Sequence, residues 1–133
     1  MTDDPGGARP RSLDALTPVA ARPGLRFRVL VGPQDGVQNL FVGEAVAEPG
    51  VEVPPHQHTV TEAIVVLEGT VTIRVGEQTL EVGAGQTFAF PPGVPHTLAN
   101  RGDTAARFLA TAPWDHATYS EVTTYLGESG PAQ

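Results

Sequence analysis

Four side chains in this sequence can take up a divalent metal between them. His56-Gln57-His58 places two imidazoles two residues apart, Glu62 follows four residues later, and His96 stands alone after Pro91-Pro92-Gly93-Val94-Pro95. On a β-strand, residues i and i+2 point to the same face, so His56 and His58 face one point. Glu62 can rejoin that point across a bend at Thr59–Thr61, and His96 reaches it from a different hairpin. Three imidazoles and a carboxylate make a borderline-soft donor set. It suits Fe(II), Mn(II), Ni(II), Cu(II) or Zn(II) better than Mg or Ca. Four protein ligands on an ion that accepts five or six leave positions for water, dioxygen or a chelating substrate, which a catalytic site needs and a closed structural site lacks. The imidazoles must be neutral to bind, so affinity is expected to fall as pH drops through about 6.5. Each residue also has a plainer role, a histidine satisfied in a core or a surface acid beside a turn. Nothing in the residue types alone ties the four together.

The elements that would position them are short strands. With 133 residues the chain makes one domain, and 40% hydrophobic against 17% charged residues is an ordinary globular balance. Fifteen glycines and thirteen prolines lie between short apolar runs, so turns are frequent and an all-β fold is favoured. Leu25, Phe27, Val29 and Val31 alternate with Arg26 and Arg28, a period of two. Further runs follow at Leu40–Ala47, Val53–His58, Ala63–Leu67, Val71–Val75, Leu80–Val82, Thr87–Phe90, Val94–Asn100 and Ala105–Ala112, each bounded by turn residues. Eight to ten such strands are the mark of a sandwich or barrel. Residues 1–24 hold four prolines and three glycines and read as a mobile arm with one helical turn near Ser12–Leu16. Residues 25–112 form the barrel. In the segment 113–133, Tyr119, Val122 and Leu126 recur at spacings of three and four, predicting one short amphipathic helix before a mobile tail.

The spacing resembles that of the cupin family. GVEVPPHQHTVTEAIVVLEG at 50–69 carries Gly, five residues, His-x-His, three residues, Glu, six residues, Gly. GQTFAFPPGVPHTLAN at 85–100 carries Gly, five residues, Pro-x-Gly, two residues, His, three residues, Asn. Both cupin motifs match at every fixed position, from Gly50, His56, His58, Glu62 and Gly69 to Gly85, Pro91, Gly93, His96 and Asn100. The resemblance implies a double-stranded β-helix, or jelly-roll, barrel with a metal near its centre. It further implies His56, His58, Glu62 and His96 as the ligands, with Asn100 and the glycines serving structure.

Composition narrows the partners. The net charge is −7 and all eight basic residues are arginine. An acidic chain without a basic stripe does not suit nucleic acid, whose phosphates supply most of that affinity. The sequence contains no cysteine, so a metal must be held by nitrogen and oxygen. No apolar run has the length of a membrane span, and the start lacks a signal-peptide core, so a cytoplasmic location without membrane attachment is expected. One barrel interior cannot cover both faces of Ala63–Leu67 as well as Phe27, Val29 and Val31, so a homodimer is expected.

Cupins resembling this one include dioxygenases, isomerases, decarboxylases, polyketide cyclases and binding proteins, so the fold leaves the reaction open. The leading expectation is an Fe(II) oxygenase or dioxygenase acting on a small organic substrate. The alternatives are a redox-neutral cyclase, isomerase or lyase, and a small-molecule-binding protein without turnover. Candidates to touch substrate are Phe88 and Phe90 on one strand face, then Tyr119 and, lining the barrel mouth just past the last strand, Trp114 and His116. Arg28, Arg74 and Arg107 read as solvent-facing strand positions.

Overall fold

The structure, a computed structural model, describes residues 10–113 and 123–126. Its strands are β1 (Val19–Arg22), β2 (Leu25–Val31), β3 (Phe41–Ala47), β4 (Glu52–His58), β5 (Glu62–Glu68), β6 (Thr70–Val75), β7 (Gln78–Gly83), β8 (Thr87–Phe90), β9 (His96–Ala99), β10 (Ala106–Ala112) and β11 (Thr123–Tyr125). They form a six-stranded sheet in the order β1-β2-β3-β10-β5-β8 and a five-stranded sheet in the order β11-β4-β9-β6-β7. Every strand pairing is antiparallel. This is the all-β jelly roll that the period-two runs and the turn residues specify.

The core lies between the two sheets. Ile64, Val66 and Phe108 come from the larger sheet and Val71, Ile73 and Leu98 from the smaller, all in one buried cluster. A second cluster joins Phe41 and Ala112 with half-buried Phe27, Val29 and Val60. Phe27 stacks on Phe41 with ring centroids 5.7 Å apart. Gly43 makes this possible, because a Cβ there would overlap the Phe27 ring.

Asn100 serves structure, as the motif implies. Its amide donates to Ala47 O at 2.9 Å and Thr104 O at 2.8 Å, and its Oδ1 accepts from the Gly102 amide at 3.0 Å. On the outer face of the larger sheet the arginines find a purpose. Arg28 Nε donates to Glu44 Oε1 at 2.7 Å and Arg107 Nη1 to Glu44 Oε2 at 2.9 Å. Glu44 is 2% exposed, and two guanidinium partners are what a buried carboxylate requires. Arg28 and Arg107 therefore serve the outer sheet face. Arg74 is exposed.

Two expectations are corrected. The segment read as an arm does hold the helical turn, a 3-10 turn at Leu13–Ala15 capped by Ser12, but it also contributes β1, which extends the sheet beside β2. The expected C-terminal helix runs into β11, where Thr123–Tyr125 is a strand on the edge of β4. The β-branched and aromatic residues there favour a pleated edge, and β4 supplies an unpaired ladder to meet it. Tyr119 and Val122, the other residues of that predicted helix, lie outside the described residues.

Candidate metal centre

The two prolines of β4 set the aim of its histidines. Pro54 and Pro55 have no amide hydrogen to give to the ladder. Between Val53, paired with Leu98, and His56, paired with His96, the register slips by one residue. Val53 packs against the core, and uninterrupted alternation from it would turn His56 and His58 outward. The bulge inverts the alternation, so both imidazoles face the interior at 3% and 2% exposure. His96 opens β9 directly across from His56. Glu62 opens β5 in the other sheet, opposite Phe90 of β8.

Together His56, His58, Glu62 and His96 bring four donor atoms within 4.8 Å of one another. Donors at about 2.0–2.2 Å from a shared ion span up to roughly 4.4 Å. A contraction of a few tenths of an ångström therefore closes the shell. The hydrogen bonding supports this fit. His56 Nδ1 donates to Pro54 O at 2.8 Å and His96 Nδ1 to Val94 O at 3.1 Å. A carbonyl can only accept, so both rings carry their proton on Nδ1 and present the Nε2 lone pair. His58 Nδ1 lies 2.8 Å from Thr123 Oγ1. At the centre, His96 Nε2 and Glu62 Oε1 are buried without a hydrogen-bond partner, and His58 Nε2 is buried beside them. His58 Nε2 approaches Glu62 Oε1 to 3.3 Å, but without hydrogen-bond geometry. Buried polar atoms orphaned this way are costly, and a cation among them would satisfy both and take His58 Nε2 as a further donor.

Burial lowers the His56 pKa from 6.5 to about 4, so the ring is a neutral donor at pH 7. For this ligand, proton competition begins well below the free-imidazole value. Burial pushes Glu62 upward, but the close approach of the His58 and His96 rings outweighs it and brings its pKa down to about 2. The folded chain thus holds His56 neutral down to about pH 4, whereas an unfolded chain protonates it near 6.5. Unfolding takes up a proton in that window, so stability falls as pH drops through it. Glu62 acts in the same direction from 4.5 down to about 2. The melting temperature of metal-free protein is expected to decline steadily below about pH 6.5. A curve flat between pH 6.5 and 4 would contradict this electrostatic account.

The walls around the cluster are apolar. Phe90, 1% exposed, stacks on His96 with centroids 4.2 Å apart, and Phe88 meets Phe90 edge-on at 5.2 Å. Phe90 thus stands against a ligand, with Phe88 behind it. On the other side of Glu62 comes Ala112, one step beyond the Thr111–Ala63 pair, and then its partner Phe41. Val60, in the bend between His58 and Glu62, packs against Phe41 and Ala112. Trp114, His116 and Tyr119 lie outside the described residues. Two residues at the site escaped sequence reasoning, Thr123 and Tyr125. Tyr125 stacks on His56 at 5.1 Å. Their signal was the run Thr123-Thr124-Tyr125, which reads as a strand.

The family model for the cupin domain matches residues 43–112, a span that includes all four donors. The chain belongs to the cupin family. This cupin is 30% identical over 104 residues to polyketide synthase CurC of Streptomyces cyaneus, a match covering 76% of this chain and 68% of that protein. Its fold is similar to that of the polyketide cyclase RemF from Streptomyces resistomycificus, with a TM-score of 0.76, 25% identity, and 91% and 87% of the two chains covered. The oxalate decarboxylase of Bacillus subtilis shares the fold at a TM-score of 0.72 and 21% identity, covering 87% of this cupin and 31% of that chain. Among the described residues of this cupin, no helix is long and apolar enough to cross a membrane.

Proposed function

We propose that this cupin is a metal-dependent enzyme that closes a ring in a small polycarbonyl substrate without net oxidation or reduction. The observation that carries the proposal is the buried cluster of donors from His56, His58, Glu62 and His96, with orphaned atoms on Glu62 and His96, against a wall of Phe90, Ala112 and Phe41. A polyketide chain has 1,3-related carbonyl oxygens that chelate a cation and a largely apolar body that such walls accept. The likeness to CurC and RemF, both named for polyketide chemistry, supports this substrate class over others. A divalent ion in this donor set would polarise a carbonyl, making its carbon electrophilic and the adjacent carbon–hydrogen bond more acidic. The chain's own contribution is positional. His56 is held by a carbonyl of its own strand and His96 by one just before its strand, Glu62 remains a carboxylate, and the aromatic rings exclude water from the space beside them.

An Fe(II) oxygenase, the leading expectation from the sequence, is the competing reading, and cofactor choice separates the two. Zn(II)-loaded protein, assayed without air on an aryl 1,3,5-tricarbonyl probe, is expected to form the cyclised product as fast as the Fe(II) form does in air. A strict requirement for both Fe(II) and dioxygen would replace the cyclase with an oxygenase. Saturable binding of the probe with no product under any metal would make the protein a binder.

A further inference from the structure

The three histidines of the cluster are held differently. His56 and His96 each use a backbone carbonyl two residues upstream. His58 instead meets the hydroxyl of Thr123, sixty-five residues later in the chain. That hydroxyl is delivered by β11, whose register on β4 puts Thr123 directly across from His58 and Tyr125 directly across from His56. Cross-strand partners share a face, so the hydroxyl and the tyrosine ring both lie on the ligand side of β4. Tyr125 stacks on His56 with an interplanar angle of 28°, and the Leu126 amide donates to Pro55 O at 2.9 Å, tying down the strand's end.

We propose that β11 is a clasp for the metal centre, in which Thr123 is the positioning residue that orients His58 as a ligand. Docking of this strand and binding of the metal then reinforce each other. The proposal rests on the reading of His56, His58, Glu62 and His96 as a metal site. A ligating imidazole needs its second nitrogen held, both to fix the ring and to keep the donor lone pair on the metal side. Thr123 Oγ1 can accept from His58 Nδ1–H while Nε2 faces the cluster. The strand has three residues and, among the described residues, one strand neighbour, β4, at the edge of its sheet. Its side-chain contacts with His58 and His56 add to the ladder that holds it. By linkage, whatever docked β11 adds to metal affinity, bound metal returns to the docking of β11.

Co(II) is the probe, used on the full chain, with affinity read by chelator competition and the ligand field by visible absorption. Thr123→Val keeps the side-chain shape and removes the hydroxyl. It is expected to weaken Co(II) binding about 10–100-fold, the range for lost partners of ligating groups, and to shift the absorption band. Thr123→Ser restores the hydroxyl and is expected to recover both. In the wild type, Co(II) is expected to slow hydrogen exchange at the Leu126 amide, a reading that needs no variant. Wild-type affinity and spectrum in Thr123→Val would overturn the clasp. So would a Thr123→Ser variant as weak as the valine, or Leu126 exchange indifferent to Co(II). Failure of the wild type itself to bind Co(II) would overturn the metal reading and the clasp with it.

Discussion

His96→Ala is expected to lose almost all of the thermal stabilisation that metal gives the wild type. A metal that binds only the folded barrel, present at a hundredfold over its dissociation constant, adds about 2.7 kcal/mol. For a domain of this size that is a rise in melting temperature of roughly 10 °C. His96 is 1% exposed, sits across from His56, and presents an orphaned Nε2 to the cluster. Losing a mere partner of a ligand costs about 10–100-fold in affinity, so losing the ligand is expected to cost more than about a hundredfold. At the same metal concentration the variant would then gain no more than about 0.4 kcal/mol. Its metal-free baseline will also fall, because Phe90 stacks on this ring, so the informative quantity is the response to metal in each protein. Equal responses in the two proteins would remove His96 from the site.

A second large effect is expected far from the donors, at Gly69. Its φ is +76°, a region that L side chains rarely adopt, and an added Cβ would lie 2.7 Å from Ala105 O and 2.9 Å from Ala106 Cα. Both obstacles are backbone, part of the approach between the β5–β6 turn and the start of β10, and neither can swing aside. Left-handed strain of about 1–2 kcal/mol and overpacking of about 1–3 kcal/mol make Gly69→Ala destabilising by roughly 2–5 kcal/mol. Gly50 provides the contrast. Its φ is +92°, but nothing lies within 4 Å of an added Cβ, so Gly50→Ala carries the conformational strain alone. Urea unfolding of the two variants beside wild type checks the difference. Similar losses at both positions would mean that the close approach at Gly69 contributes nothing.

Much of this architecture is legible in the chain because its signals are local. Alternation such as Leu25-Phe27-Val29-Val31, closed by Gly32-Pro33, marks a strand without reference to anything distant. His56 and His58 share a face for the same reason, and the motif spacing points to Glu62 and His96 as their companions. What stayed hidden depends on long-range pairing. Val19–Arg22 is an alanine-rich stretch among prolines, with weak strand preference, and becomes a strand because β2 folds back along it. Tyr119, Val122 and Leu126 fit a helical period, yet Thr123–Tyr125 pairs with the edge of β4, a partner more than sixty residues away. The bulge at Pro54-Pro55 was in plain view as two prolines, but its effect on facing emerges only from the registers of Val53 and His56 against β9.

The proposed chemistry requires the coordination of one ion by four side chains. X-ray absorption of wild-type protein reconstituted with one equivalent of Zn(II) tests it most directly. The expected first shell has three imidazole nitrogens at about 2.0–2.1 Å and a carboxylate oxygen at about 2.0–2.2 Å, with a further light-atom ligand permitted. A shell of water and carboxylate oxygens without the outer scattering of imidazole would contradict a centre built from His56, His58, Glu62 and His96.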